Sequence, residues 1–108
     1  MHYQFEAIHP FADGNGRVGR ILIPLYLYEK KITAHPNLYV SEFLERHRRD
    51  YYEKLNGVSE RGELLEWVQF FLRAIREQAT TSKARVDSVE QLYKTLHKRL
   101  PEFNSIYA

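Results

Sequence analysis

A short stretch from His9 to Arg20 gathers the residue types that phosphate chemistry uses. It reads His-Pro-Phe-Ala-Asp-Gly-Asn-Gly-Arg-Val-Gly-Arg. Gly14 and Gly16 can adopt positive φ and let a phosphate approach the backbone, and Asn15 tolerates left-handed geometry, so the N–H groups of this loop can form an anion-binding nest. Because the loop leads into a predicted helix, the unpaired N–H groups and positive dipole end of that helix face the same point. The stretch therefore predicts an anion site built from backbone.

The charged side chains of the stretch suit a polyphosphate. Arg17 and Arg20 are three residues apart, so both lie on one side of the first helical turn and can reach successive phosphates. Asp13 would be repelled by a bound polyphosphate unless a hard cation bridged them, and Mg²⁺ prefers such a mixture of carboxylate, phosphate and water. His9 can take up a proton near neutral pH, which makes it the candidate base for an attacking hydroxyl.

Each of these features also has a purely structural interpretation. A histidine before proline is more often a packing residue, a Gly-Asn-Gly sequence is more often a turn, and Asp13 could serve only as a helix cap. Together they favour the anion site, because two arginines at an otherwise apolar helix start would be costly to bury without a counter-charge.

Length and composition predict one domain. The chain has 108 residues, of which 44% are hydrophobic and 28% charged, and it contains no cysteine. Disulfides, thiolate zinc sites and cysteine nucleophiles are therefore excluded, and a reducing compartment fits. A net charge of +2 leaves no excess for a nucleic-acid backbone, and no apolar run approaches the roughly 20 residues that span a bilayer. We expect a cytoplasmic protein without a membrane segment.

The pattern of apolar residues and helix breakers predicts an all-α fold. A first helix is expected from Met1 until Pro10, which places His9 at its end. A second helix, over residues 17–31, has apolar residues on every side, which is typical of a buried helix. Pro24 is expected to bend it.

Two further helical regions follow. One is predicted around residues 41–55, with Asn56-Gly57 as its stop. Apolar residues at helical spacing then predict helix from about residue 63 to residue 100. The polar run Thr80-Thr81-Ser82 leaves open whether this last region is one long helix or two.

The segment from His9 to Arg20 resembles the hallmark of the Fic family, His-x-Phe-x-Asp-Gly-Asn-Gly-Arg-x-x-Arg, and matches it at every defined position. A weaker resemblance extends to Tyr51-Tyr52 and to the helix over residues 64–74, so that the resemblance covers roughly the first three-quarters of the chain. It implies an all-α, Fic-type helical bundle. Residues 1–108 would be a partial Fic domain, with the catalytic motif at residues 9–20.

The resemblance also implies a role for each residue of the motif. His9 would deprotonate the target hydroxyl, and Asp13 would position Mg²⁺ on the nucleotide. The Gly14-Asn15-Gly16 loop and Arg17 would hold the α and β phosphates of ATP. Arg20 would hold the γ phosphate.

Two aromatic residues have implied roles outside the phosphate site. Phe11 would be a core anchor. Tyr51 resembles a family tyrosine that lies beside the adenine and so belongs to the expected nucleotide-binding residues. Ser59, however, stands near where relatives often carry an asparagine.

The implied function is protein adenylyltransferase activity. A Ser, Thr or Tyr hydroxyl of a target protein would attack the α phosphorus of ATP in line, with pyrophosphate leaving. The Gly-Asn-Gly-Arg form favours AMP transfer over the phosphate transfer of Doc-like relatives. Two alternatives stay open: transfer of phosphate or another nucleotide from the same site, and a non-catalytic nucleotide-binding or regulatory helical module. The presence of His9 argues against pure binding.

Several parts of a Fic domain are expected outside this chain. Such a domain normally has helices and a β-hairpin flap before the motif, and many relatives continue into a winged helix, to which residues 86–100 would lead. Nucleic acid would be bound only through that winged helix. The inhibitory motif, Ser or Thr, three residues, then Glu followed by Gly or Asn, does not occur. An inhibitory helix upstream or in a partner protein stays open, and the uncovered apolar helix predicts self-association, such as a homodimer.

Overall fold

The computed structural model describes residues 1–107, with side chains for residues 1–102, as a set of five helices. These are α1 (His2–Ile8), α2 (Asn15–Glu29), α3 (Ser41–Arg46), α4 (Arg48–Arg61) and α5 (Leu64–Tyr107). No strand occurs in residues 1–107, which confirms the all-α prediction. Along the same residues, no helix is both long enough and apolar enough to cross a membrane.

The first helix ends where the sequence predicts. His9 follows α1 in the left-handed conformation, with φ 52° and ψ 60°, and its N–H donates to the carbonyl of Phe5 at 3.1 Å. Pro10 cannot continue the helix, and it restricts the backbone of the residue before it. The histidine therefore lies at the junction between α1 and the glycine loop.

The second helix begins at Asn15, two residues earlier than predicted, because Gly14 ends the loop at φ 79°. Pro24 lies inside α2 without ending it. The prediction of all-round burial is wrong: Ile23 and Leu27 are buried, whereas Ile21 is 57% and Leu25 48% exposed. The neighbouring helices cover only one side of α2, which confirms the expectation that part of its apolar surface lacks cover.

The third predicted region is divided into two helices, and its predicted stop is wrong. The break falls at His47, whereas α4 runs through Gly57 to Arg61. Gly57 is buried, and the N–H of Glu63 returns to its carbonyl at 3.2 Å. The actual end is Gly62, which adopts φ 66° and donates to the carbonyl of Val58 at 3.1 Å.

The last helix, α5, is continuous. It passes through the polar run at residues 80–82, where the Thr80 hydroxyl donates to the carbonyl of Arg76 at 3.0 Å and so is satisfied inside the helix. Its first turns pack against the other helices, whereas residues 86–100 present exposed apolar side chains. Arg85 ties α5 to α3 through two bonds to Glu42, at 2.8 and 2.9 Å. The resulting molecule is elongated, 69 × 27 × 27 Å.

The core lies where α2, α3, α4 and the first turns of α5 meet. Among residues 1–102 it contains nine buried hydrophobic residues: Ile23, Leu27, Val40, Phe43, Leu44, Tyr51, Trp67, Phe70 and Ala74. The α1 helix packs against α2, and its His2 ring stacks near the rings of Tyr51, Trp67 and Phe71. This core fixes the crossing of α1 and α2, and with it the loop between them.

Candidate active site

The centre of the candidate site is the N-terminus of α2. Gly14 precedes the helix with φ 79°, no side chain caps it, and its first turn holds no acidic residue. The first N–H groups of a helix have no partner within the helix and carry the positive end of its dipole. The first N–H groups of α2 can therefore bind an anion.

Asn15 holds the loop in place. Its side chain is buried, with 3% of the residue exposed. The Oδ1 atom accepts the Phe11 N–H at 2.9 Å, and Nδ2 donates to the Phe11 carbonyl at 2.7 Å. These two bonds engage the Asn15 side chain, while its backbone N–H lies at the start of α2. The Asn15 side chain thus holds the backbone of Phe11 close to the start of α2.

The two arginines fold back over the glycines of the loop. A Cβ added to Gly14 would lie 3.3 Å from Nη2 of Arg17, and one added to Gly16 would lie 3.0 Å from Nη1 of Arg20. Each guanidinium therefore occupies the space that a side chain at the glycine would take. The structure brings both positive charges to the same helix start as the free N–H groups.

Asp13 lies at this helix start, and His9 lies at the end of α1, four residues before Asp13. One carboxylate oxygen of Asp13 accepts the N–H of Gly14 at 2.8 Å, and the other lies 3.9 Å from Nη2 of Arg17. The Asp13 side chain is 96% exposed. The exposed His9 ring makes no hydrogen bond within residues 1–102 and is accessible to an incoming group.

Asp13 is the residue of the site that suits a bound Mg²⁺. No cluster of three or more metal-ligating side chains occurs among the described residues. Mg²⁺ in nucleotide sites is usually bound by one or two carboxylates together with phosphates and water, so a full protein cage is not required. The exposed carboxylate of Asp13 next to the anion nest meets that requirement.

Tyr51 lies away from the surface that the sequence predicts for it. It is 3% exposed and belongs to the core. Its hydroxyl donates to Nε2 of His2 at 2.6 Å, and burial raises the pKa of the hydroxyl well above its usual value. The Tyr51 ring is thus packed in the core, and its expected place beside an adenine stays a prediction. Phe11 also differs from the expectation of a core anchor: it is 51% exposed, and the centre of the Phe5 ring lies 6.4 Å from the centre of its own ring.

Behind the loop lies a buried crossing that sequence reasoning missed. His2 is 4% exposed, its Nδ1–H donates to the carbonyl of Gly19 at 3.3 Å, and burial lowers its pKa to about 4. A Cβ at Gly19 would overlap Oε1 of Glu6 and lie 3.1 Å from the Phe5 ring. A glycine inside a helix costs about 1 kcal/mol relative to alanine, so Gly19 was the available signal of a close approach.

A second concave region carries little chemistry. An apolar cleft of about 270 Å³ lies between α2 and α5, where Met1, Tyr26, Val68 and Leu72 are among its lining residues. His2 is the titratable imidazole that lines it, and both ring nitrogens of His2 already form hydrogen bonds. The helix start with His9, Asp13 and the arginines is therefore the candidate active site.

Comparison with known proteins points to the same stretch. Residues 1–27 match the family model described as Fic/DOC family. The chain is 38% identical over 72 residues to Protein adenylyltransferase Fic of Nematostella vectensis, which covers 67% of this chain and 15% of that protein. It is 35% identical over 69 residues to Protein adenylyltransferase Fic of Aedes aegypti, covering 64% of this chain and 12% of that protein.

A third relative is similar over the motif itself. A probable protein adenylyltransferase of Aquifex aeolicus is 68% identical over 29 residues, which covers 27% of this chain and 9% of that protein. The chain thus spans less than a sixth of the length of the relatives from Nematostella, Aedes and Aquifex.

Proposed function

We propose, from the match of residues 1–27 to the Fic/DOC family model, that the chain belongs to this family and that the protein transfers AMP from ATP to a hydroxyl of a protein side chain. The observation that carries the proposal is the start of α2. There two arginines are folded over the glycines of an uncapped helix N-terminus, and the exposed His9 precedes Gly14 by five residues in the sequence. Binding phosphates alone would not require the histidine.

The residues would divide the chemistry as follows. The N–H groups at Asn15 and Gly16, with Arg17 and Arg20, hold the triphosphate and neutralise its charge. His9 accepts the proton of the attacking hydroxyl. The hydroxyl oxygen forms a bond to the α phosphorus while the bond from that phosphorus to the bridging oxygen of the β phosphate breaks, and pyrophosphate leaves.

The rate would come mainly from positioning and charge. A phosphoryl centre reacts in line when the attacking and leaving oxygens are held on opposite sides of it, and fixed dipoles in place of water stabilise the developing charge. Mg²⁺, when held by Asp13 and the phosphates, would supply further neutralisation of that charge.

Other aspects of the proposal rest on the sequence. ATP, Mg²⁺ and a target protein with a hydroxyl side chain are the proposed partners. The absence of cysteine supports a reducing compartment, and we propose the cytoplasm. Since residues 1–108 lack the inhibitory motif, an inhibitory helix would come from an upstream segment or a partner protein.

Labelled ATP tests the proposal. The protein is incubated with candidate target extract and ATP labelled in the α or the γ phosphate, and covalent label on protein is measured. Attachment of the α label, and not the γ label, is expected. His9→Ala should abolish it while ATP affinity stays within a few-fold, because the base acts on the hydroxyl. Attachment of the γ label would indicate phosphate transfer, and ATP binding without either label would indicate a binding module.

A further inference from the structure

The carboxylate of Glu6 occupies an unusual place beside the candidate active site. Glu6 lies on α1, three residues before His9. Its Oε1 atom is buried and has no hydrogen-bond partner among the described residues. It rests on the bare backbone of Gly19, where any Cβ would overlap it. Burying a carboxylate oxygen against another helix without a hydrogen-bond partner costs free energy, and a nearby positive charge lowers that cost.

The charges that Glu6 faces belong to the motif. Burial raises the pKa of the Glu6 carboxyl, and the positive charge of Arg20, followed by that of His9, acts in the opposite direction. No ion pair within 4.0 Å links Glu6 to Arg20 among the described residues. Glu6 and Arg20 therefore interact through their charges and not through a direct ion pair.

The geometry of α2 brings the two groups onto one face. The Arg20 guanidinium lies over Gly16, and the Glu6 carboxylate lies against Gly19. Residues three apart on a helix are neighbours, with Cβ positions about 5–6 Å from each other. The two glycines thus form adjacent bare patches, one under a positive group and one under a negative group.

We propose that Glu6 is a positioning residue that holds Arg20 at the start of α2, ready for the terminal phosphate of the nucleotide. Glu6 itself does not contact the nucleotide. Its carboxylate attracts the guanidinium to one side of α2, so that binding does not have to order a freely moving arginine. The inference rests on the proposed function, because it presumes that Arg20 receives a phosphate.

A double-mutant cycle on nucleotide binding tests this. ATP and AMP affinities are measured by calorimetry for the wild-type protein, Glu6→Gln, Arg20→Ala and the double variant. We expect Glu6→Gln to weaken ATP binding by about three- to tenfold when Arg20 is present and to have no effect in the Arg20→Ala background. AMP, which lacks the terminal phosphates, should bind all four proteins alike. Glu66→Gln, an exposed glutamate on α5, is the matched control.

The outcomes separate this inference from the proposed function. Unchanged or tighter ATP binding by Glu6→Gln would overturn the positioning role, as would an equal weakening with and without Arg20, which a merely structural residue would give. If the wild-type protein binds no ATP, the proposed function itself fails and the inference fails with it. Should Glu6→Gln not fold, Gly19→Ala keeps the carboxylate but displaces it, and it should weaken ATP binding in the same Arg20-dependent way.

Discussion

Arg17 and Arg20 occupy space that glycine leaves open. Because a Cβ at Gly14 or Gly16 would come within 3.3 or 3.0 Å of a guanidinium nitrogen, a larger residue at either position would push an arginine away from the helix start. The glycines thus permit the backbone conformation of the loop and leave space for the two arginine side chains. The two guanidinium groups thus give the helix start a positive charge that suits an anionic ligand.

Arg20→Ala should weaken ATP binding strongly. It removes a charge-assisted contact worth about 1.5 to 3 kcal/mol, which corresponds to roughly a tenfold to hundredfold loss of affinity. Arg49→Ala, which removes an exposed arginine from α4, should leave the affinity unchanged. Calorimetric titration measures both, and an unaltered dissociation constant in Arg20→Ala would remove Arg20 from the site.

His2 should make stability depend on pH. Burial lowers its pKa from 6.5 to about 4, so the unfolded chain binds the proton first as the pH falls. Stability is therefore full at neutral pH and declines between about pH 6.5 and pH 4, by up to roughly 1.4 kcal/mol per pH unit. His2→Gln lacks this titration, whereas the Glu6 contribution, which has the opposite sign, is common to both proteins. Urea unfolding at pH 7, 6 and 5 should show a steeper loss in the wild type, and parallel losses would contradict the assignment.

The left-handed turn at Gly14 and the helix after it could be predicted from the sequence, because a glycine turn and a helix start depend on local geometry. The side-chain partners could not. Asn15 binds Phe11, and Tyr51 binds His2 across 49 residues, and both contacts depend on how the chain folds back on itself. A tyrosine pattern does not reveal whether its ring faces a ligand or the core.

At the level of elements, α4 is ended by backbone geometry. Gly62 adopts φ 66° and closes the helix by its bond to Val58, and the Arg61 side chain then pairs with Glu63 at 2.8 and 3.2 Å. A Cβ at Gly62 would meet nothing within 4 Å. The need for glycine is therefore conformational and not steric.

Gly62→Ala should lower the free energy of unfolding by about 1 kcal/mol, because a side chain disfavours the left-handed conformation. Gly62→Asn should cost less, since asparagine tolerates that conformation. Urea denaturation of the three proteins measures the difference. Equal stability of the alanine variant and the wild type would show that the turn does not require glycine.

The sequence predicts correctly that these segments are helical, but it predicts the ends of the helices less accurately. Asn56-Gly57 looks like a stop because both residues are poor helix formers, yet the buried Gly57 accommodates the Glu63 turn and the helix continues past it. The polar run at residues 80–82 likewise stays helical, and the Thr80 hydroxyl donates to a carbonyl of the same helix. Local propensity is a weak effect, and packing overrides it.

At the scale of the molecule, the chain has more apolar surface than its own helices cover. On α2, Leu25 and Tyr28 are 48% and 49% exposed. On α5, exposed apolar residues recur over residues 86–100, including Val89 and Tyr93. Contiguous surface of this kind marks a place of association.

We predict that the 108-residue chain associates with itself through the exposed side of α2. Leu25→Glu with Tyr28→Glu should shift the sedimentation coefficient toward that of a monomer, because each charge would have to be buried in the contact. Gln69→Glu with Gln91→Glu adds the same charge at exposed polar positions of α5 and serves as control. A wild-type chain that sediments as a monomer at all concentrations would refute the prediction.

The left-handed backbone at His9 implies a trade-off between stability and activity. At φ 52° a residue with a Cβ is strained by about 1 kcal/mol, and glycine is the residue that this conformation favours. The proposed base therefore stands at a position where histidine lowers the stability of the fold relative to glycine. His9→Gly should therefore unfold at a temperature equal to or above that of the wild type while losing transfer entirely, and calorimetric melting shows whether it does.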